Sequence, residues 1–261
     1  MNQYLISAET YIGNIRKKNE DNFFINGTYK EKKESKFLYD GLLLKKETSV
    51  IGIFDGMGGL GNGDNASYIA VKVLDKYFEY VRKNKDVFNS EFVLKKINKY
   101  ICQEINKSSE KMGSTAVLLF CEKGHIQVSN IGDSRAYLYR DGILRQLSVD
   151  HTEQNSMFRM QEQLGIARTI DIPNSRNTLT QHLGIQEDDF ILEPAVSEVI
   201  QVQEKDIYLL CSDGLTGMLN DTEISDVLSR SANLKDKKKI LIEEAMKAGG
   251  KDNITVILIE A

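Results

Sequence analysis

STAVLLFCEKGHIQVSNIGDSRAYLYRDGILRQL, residues 114–147, is the stretch that decides the architecture. It holds apolar runs at 114–121 and 125–131, then RAYLYR joined to ILRQL by Asp141-Gly142. Asp-Gly between two strand-like runs is a hairpin signal, because both residues tolerate the positive φ that a tight turn demands. Strand follows strand here without a helix, so the sheet is expected to be antiparallel; a parallel doubly wound fold would need helices between most strands.

Outward from this centre, 3–11 (QYLISAETY), 22–26 and 50–55 (VIGIFD) also read as strands. Two amphipathic helices follow the glycine-rich loop GMGGLGNGDN. One carries Ala66, Ile69, Ala70, Val73, Leu74, Tyr77, Phe78 and Val81 on a single face, the other Phe92, Val93, Ile97, Tyr100, Ile101 and Ile105. Residues 151–178 are polar and irregular, in part helical. Strand-like stretches at 189–193, 196–202 and 206–212 lead to helices at 222–230 and 235–248, stopped by Gly249-Gly250, and to a last strand at 253–259. The pattern predicts an α+β sandwich of antiparallel sheets with helices outside. With no repeat, low-complexity tract or linker, 1–261 is expected to be a single domain.

Composition narrows the function classes. The 261 residues are 41% apolar and 28% charged, enough apolar material for a substantial core. Lys and Arg number 34 against 38 Asp and Glu, a net of −4, which speaks against general nucleic-acid affinity. Cys102, Cys121 and Cys211 are an odd, scattered set amid apolar neighbours and read as small core residues in a reducing compartment. No segment approaches 18 uninterrupted apolar residues, and Met1–Arg16 lacks the pattern of a signal peptide. The expectation is a cytoplasmic monomer without membrane or nucleic-acid partners.

Three aspartates share an unusual situation: Asp55 ends VIGIFD, Asp213 ends YLLCSD, and Asp252 precedes NITVILI. A carboxylate at the mouth of an apolar strand is partly withdrawn from water and needs a countercharge or a raised pKa. Each aspartate taken alone reads equally well as a turn residue, since Asp-Gly recurs at 55–56 and 213–214. Taken together, with Glu20-Asp21 and Asp133, they point to divalent cations, and a set of hard oxygens selects Mg²⁺ or Mn²⁺ over zinc. The glycine loop alone is weak evidence, although Gly56 permits close backbone approach.

The ordered set GNIRKKNED (13–21), FDGMGG (54–59), GSTAV (113–117), SNIGDSRAYLYR (129–140), LSVDHT (147–152), LTQHLG (179–184), LLCSDGL (209–215) and KDNITVI (251–257) resembles the 2C-type metal-dependent serine/threonine protein phosphatases, in particular their single-domain bacterial branch. The resemblance runs from about residue 7 to 258. It implies a four-layer α-β-β-α fold and hydrolysis of phosphoserine and phosphothreonine by water activated between two metal ions. It implies that Asp55 bridges the ions, that Gly56 offers a backbone carbonyl, and that Asp213 and Asp252 complete the pair. Glu20 and Asp21 would hold metal-bound waters, Arg16 would grip the phosphate, and Asp133 would join Asp213 at a third ion. The implied cofactors are Mn²⁺ or Mg²⁺; the implied partners are phosphorylated proteins and a cognate serine/threonine kinase.

Met57 departs from the many eukaryotic members that place histidine there, so the proton for the leaving alcohol must come from elsewhere. Residues 28–48 look longer than is usual, as a surface hairpin turning at Asp40-Gly41 whose KEKK run is a solvated edge. His125 and His182 read as structural; His151, in the segment resembling the family's flap, is a minor candidate for proton transfer. The alternative functions are a catalytically dead 2C-like module that binds phosphoproteins, and a two-metal hydrolase of small phosphoesters.

Overall fold

The computed structural model describes residues 3–58, 62–166, 178–186 and 191–261. The first third of the chain forms β1 (Gln3–Tyr11), β2 (Asn22–Ile25), β3 (Thr28–Tyr29), β4 (Lys36–Leu44), β5 (Ser49–Phe54) and β6 (Gly56–Met57), then α1 (Gly63–Asn84) and α2 (Ser90–Ser108). The middle holds β7 (Gly113–Ser114), β8 (Ala116–Glu122), β9 (His125–Ile131), β10 (Arg135–Arg140), β11 (Ile143–Gln146) and α3 (Glu153–Gln163). After it come β12 (Ala195–Val196), β13 (Ile200–Gln201), β14 (Ile207–Cys211), α4 (Asp213–Thr216), α5 (Asp221–Ser229), α6 (Leu234–Lys247) and β15 (Ile254–Glu260).

Two antiparallel sheets pack face to face. One runs β11-β10-β14-β15-β1-β4; the other runs β12-β9-β8-β5-β2-β3, with β13 also on β9. The period of two along each strand builds the layers. On β8, Val117, Leu119 and Cys121 enter the core between the sheets, where Ile6, Ile53, Leu210 and Ile257 also lie. Ala116 and Leu118 point the other way, under α1 and α2. On β14, Tyr208 and Leu210 face the inner core, and Leu209 and Cys211 lie under α5 and α6. Burial on both faces is why these strands read as continuous apolar runs. The result is helices, sheet, sheet, helices, as expected. Asp141 (φ 52°) and Gly142 (φ 80°) make the hairpin turn that their chemistry predicts. All three cysteines are buried and free.

Several expectations fail locally. Asp40-Gly41 is no turn: it sits in mid-strand, where β4 pairs with β1 from Gln3↔Leu44 to Tyr11↔Lys36. Nine residues of ladder outweigh a dipeptide preference, and the Asp40 carboxylate is engaged as an acceptor from the Ser7 hydroxyl at 2.6 Å. Phe92 and Tyr100 are about half exposed, one position off the buried stripe of Val93, Ile97 and Ile101. Lys30, the first residue of KEKK, is buried, its Nζ donating to the Asn19 carbonyl at 3.0 Å; Glu31, Lys32 and Lys33 are exposed. Residues 191–193 carry no strand, and 189–190 lie outside the described residues, as do 59–61 of the glycine loop and 167–177 of the middle segment.

Candidate active site

Strand pairing gathers the acidic residues. β2 pairs with β5 up to Asn22↔Phe54, so the next residues out, Asp21 and Asp55, leave the sheet side by side. β10 pairs with β14 up to Arg135↔Cys211, and β14 with β15 up to Cys211↔Val256. Asp133, Asp213 and Asp252 therefore emerge at the same end of the sandwich. Gly56 must lack a side chain, because a Cβ there would overlap the Gly63 and Glu20 carbonyls.

A cavity of about 250 Å³ at this end is lined by Arg16, Glu20, Asp55, Gly56, Met57, Thr115, Asp133, Asp213 and Asp252, among others. Asp21 lies behind it, fully buried. Its Oδ2 accepts hydrogen bonds from Ser212 Oγ at 2.8 Å and Thr255 Oγ1 at 2.6 Å, while Oδ1 has no partner. Asp213 Oδ1 is likewise buried without a partner. Arg16 Nη2 donates to Asp252 Oδ2 at 2.5 Å, and the guanidinium is half exposed. A larger cavity, about 630 Å³, shares Asp133 and Asp213 with the first and is bounded by α3 residues Gln154, Asn155, Phe158 and Arg159.

Burial raises the pKa of Glu20, Asp21, Asp55, Asp133 and Asp213. Asp21 is pushed up to about 7 by burial, opposed by its two hydroxyl donors and reinforced by Asp213 and Asp252. Asp133 reaches about 7 through burial, then repulsion from Asp213 and Asp150. Asp55 is raised well above its ordinary value by burial and then by Asp21, Asp213, Asp133 and Asp252. Asp213 is raised by burial and by Asp252, against a hydrogen bond with Asp55. These groups have what a cation needs: hard oxygens, two orphaned buried lone-pair sites, and charge that repels itself. Neither cysteine nor histidine lines the cavity among the described residues, so the set fits Mg²⁺ or Mn²⁺. Among the described residues no three such groups already converge on one point. Repelling carboxylates are not expected to close up without a cation.

Between about pH 4 and 7 the folded, metal-free chain holds protons on Asp21 and Asp133 that the unfolded chain has released, so its stability falls as pH rises through that window. His151, whose pKa burial lowers, acts in the opposite sense but is one group against several. Thermal unfolding in chelator should give a higher Tm at pH 5 than at pH 8, and Mn²⁺ should restore the loss at pH 8. A Tm that climbs with pH in chelator contradicts this picture of the site.

Other residues near the site have supporting places. Asp133 does not pair with Arg135; that guanidinium is held by Asp150, with Nε at 2.9 Å and Nη2 at 2.6 Å from Oδ2. His151 Nδ1 accepts the Gly132 N–H at 3.1 Å, so this histidine braces the turn that carries Asp133. His182 Nδ1 is 3.0 Å from the Leu183 carbonyl, a packing role as expected.

Sequence reading passed over the supports. Asn253 Nδ2 donates to the carbonyls of Ile12 at 2.8 Å and Lys18 at 2.9 Å, and its Oδ1 accepts from the Glu20 N–H at 2.7 Å. It thereby fixes the loop bearing Arg16 and Glu20. Thr115 Oγ1 accepts the Asp55 N–H at 3.1 Å and lies 2.7 Å from Ser134 Oγ. The available signal was polar side chains inside apolar runs: Ser212 in LLCSD, Asn253 and Thr255 in DNITVI.

A family model described as protein phosphatase 2C matches residues 8–254. The serine/threonine phosphatase stp of Listeria welshimeri is 33% identical over 262 residues, covering 95% of this chain and 92% of that protein. Protein phosphatase PhpP of Streptococcus pneumoniae is 32% identical over 218 residues, covering 81% of this chain and 85% of its own. Among solved structures, the serine/threonine phosphatase of S. agalactiae matches with a TM-score of 0.77 at 28% identity, over 99% of each chain.

Proposed function

The chain belongs to the protein phosphatase 2C family, and from that premise we infer that it uses Mn²⁺ or Mg²⁺ to hydrolyse phosphoserine and phosphothreonine in proteins phosphorylated by a serine/threonine kinase. The observation that carries this reading is the meeting of Asp55, Asp133, Asp213 and Asp252 with Arg16 at one cavity, with Asp21 behind. Bound cations would supply Lewis acidity and lower the pKa of a coordinated water toward neutrality.

The remaining work falls to the chain. Asp55, Asp213 and Asp252 would hold the cations, with the Gly56 carbonyl, while Glu20 and Asp21 orient water. Arg16 is half exposed at the cavity mouth, and its planar fork suits a phosphoryl group. Asp252 is its partner here; a cation held by Asp252 would leave the guanidinium free for the substrate. Asp133, facing Asp213 across both cavities, is the candidate ligand for a third cation, which would position a water to protonate the leaving oxygen. Met57 lines the cavity and has no proton to give. A catalytically dead module has nothing in its favour, since every carboxylate of the set is present.

The test is phosphate release from phosphothreonine and phosphoserine peptides. Turnover is expected with Mn²⁺ or Mg²⁺ and should fall to background in excess chelator, returning on readdition. Undiminished release by dialysed protein in chelator rejects the metal-assisted reading.

A further inference from the structure

α1 opens beside the active site and then runs away from it. The Gly63 N–H donates to Glu20 Oε1 at 3.2 Å and Ser67 Oγ to the Glu20 carbonyl at 2.6 Å. On the outer side of this helix, against α2, lies a groove of about 360 Å³. Its floor is Ile69 and Val73; its walls carry Lys32, Lys72, Lys76 and Lys96, together with Tyr68 and Tyr100.

The charge of this groove is opposite to that of the whole molecule. Four lysines meet one acid, Glu104, along its walls, in a chain whose net charge is −4. Among the described residues none of these lysines forms an ion pair, although Tyr68 OH donates to Glu31 Oε2 at 2.9 Å beside them. Lys72 Nζ donates to Tyr29 OH at 2.8 Å, and Lys32 Nζ, bonded to Asn65 Oδ1 at 2.5 Å, sits 5.2 Å from the centre of the Tyr68 ring. Tyrosine faces beside ammonium groups give a backbone and its side chains both apolar area and hydrogen-bonding edges. From Asn65 to Lys76 the helix rises about 16 Å, a length that about five extended residues would span.

We propose that this groove docks an anionic flank of the substrate polypeptide, acidic or additionally phosphorylated side chains next to the phosphoresidue in the active site. The proposal rests on the phosphatase reading above, because that reading supplies a phosphoprotein as the occupant. Charge complementarity selects the flank: the groove that starts at the first turn of α1 carries four lysines and one acid and attracts anionic side chains. Docking there binds substrate and transition state alike, so it acts on KM and leaves kcat alone.

The experiment compares two phosphothreonine peptides, one with an aspartate-rich flank and one with a serine-rich flank, each made with the flank on either side. The variant is Lys76→Glu with Lys96→Glu, which touches none of the catalytic residues. With exposed charge pairs each contributing well under tenfold, wild type should show a KM about 5- to 10-fold lower for an aspartate-flanked peptide than for its serine counterpart. The double variant should lose that preference, and about 0.5 M salt should erase it in wild type. Unchanged turnover of a small aryl phosphate by the variant reports an intact site. Anisotropy of the labelled aspartate-rich peptide, measured on both proteins, decides the groove even if no peptide is hydrolysed. Equal binding by wild type and variant, or equal KM for both flanks, overturns the proposal. Absence of aryl phosphate turnover by wild type would instead fault the phosphatase reading.

Discussion

Asp213→Asn is expected to reduce phosphopeptide turnover by at least about 10²–10³-fold, the loss typical of removing one preorganised electrostatic contact, while the metal-free protein becomes more stable. Asp213 lines both cavities and is the residue through which Asp133, Asp55 and Asp252 meet. Its carboxyl is buried, has one orphaned oxygen, and is destabilised in its charged form by burial and by Asp252. Asparagine keeps the shape and removes the charge. In chelator at pH 8 that relieves repulsion, so Tm should rise; with Mn²⁺ the ordering should invert, because wild type gains more from the ion. Opposite shifts in one variant separate a ligand from a packing residue. Calorimetric Mn²⁺ binding equal to wild type would remove Asp213 from the set.

Asp133→Ala should lower kcat on a phosphothreonine peptide by about 10²–10⁴, the range of a general acid, with KM little changed. Asp133 is half-buried at the boundary of the two cavities, and its neighbour Arg135 is committed to Asp150. Arg16 stands elsewhere, on Asp252, so substrate binding should survive the change. Met57 has no proton to donate, and His151 Nδ1 is engaged by the Gly132 N–H, so a water positioned through Asp133 is the proposed source of the proton. An aryl phosphate, whose leaving group departs as an anion, should therefore suffer much less. An equal loss on both substrates, or full peptide activity, contradicts the assignment.

The sandwich was legible because strands buried on both faces, such as VIGIF and YLLC, announce themselves as apolar runs, and because Asp141-Gly142 specifies a turn by local chemistry alone. The same dipeptide type misled at Asp40-Gly41, where pairing with β1 and the acceptor role toward Ser7 overrode the turn preference. Local sequence does not show which strand will lie alongside. Asp55, Asp213 and Asp252 could be picked out because charge at the end of an apolar run is costly. Asn253 and Thr115 could not, since their work is to fix loops far away in sequence: Asn253 reaches back to Ile12 and Lys18. The groove between α1 and α2 was missed for a similar reason. Helical periodicity put Tyr100 on the inner face, and KEKK read as a solvated edge, whereas the fold brings Lys32 beside Tyr68 of α1.

The most direct test of the account is the number of Mn²⁺ ions that equilibrium dialysis leaves on the protein at neutral pH, measured with phosphopeptide turnover in the same samples. At least two ions per chain are expected, with turnover rising in step with occupancy, and Asp55→Asn should lose both together. Full turnover in samples that retain almost no metal, or Asp55→Asn matching wild type in occupancy and rate, would contradict a carboxylate-held metal centre.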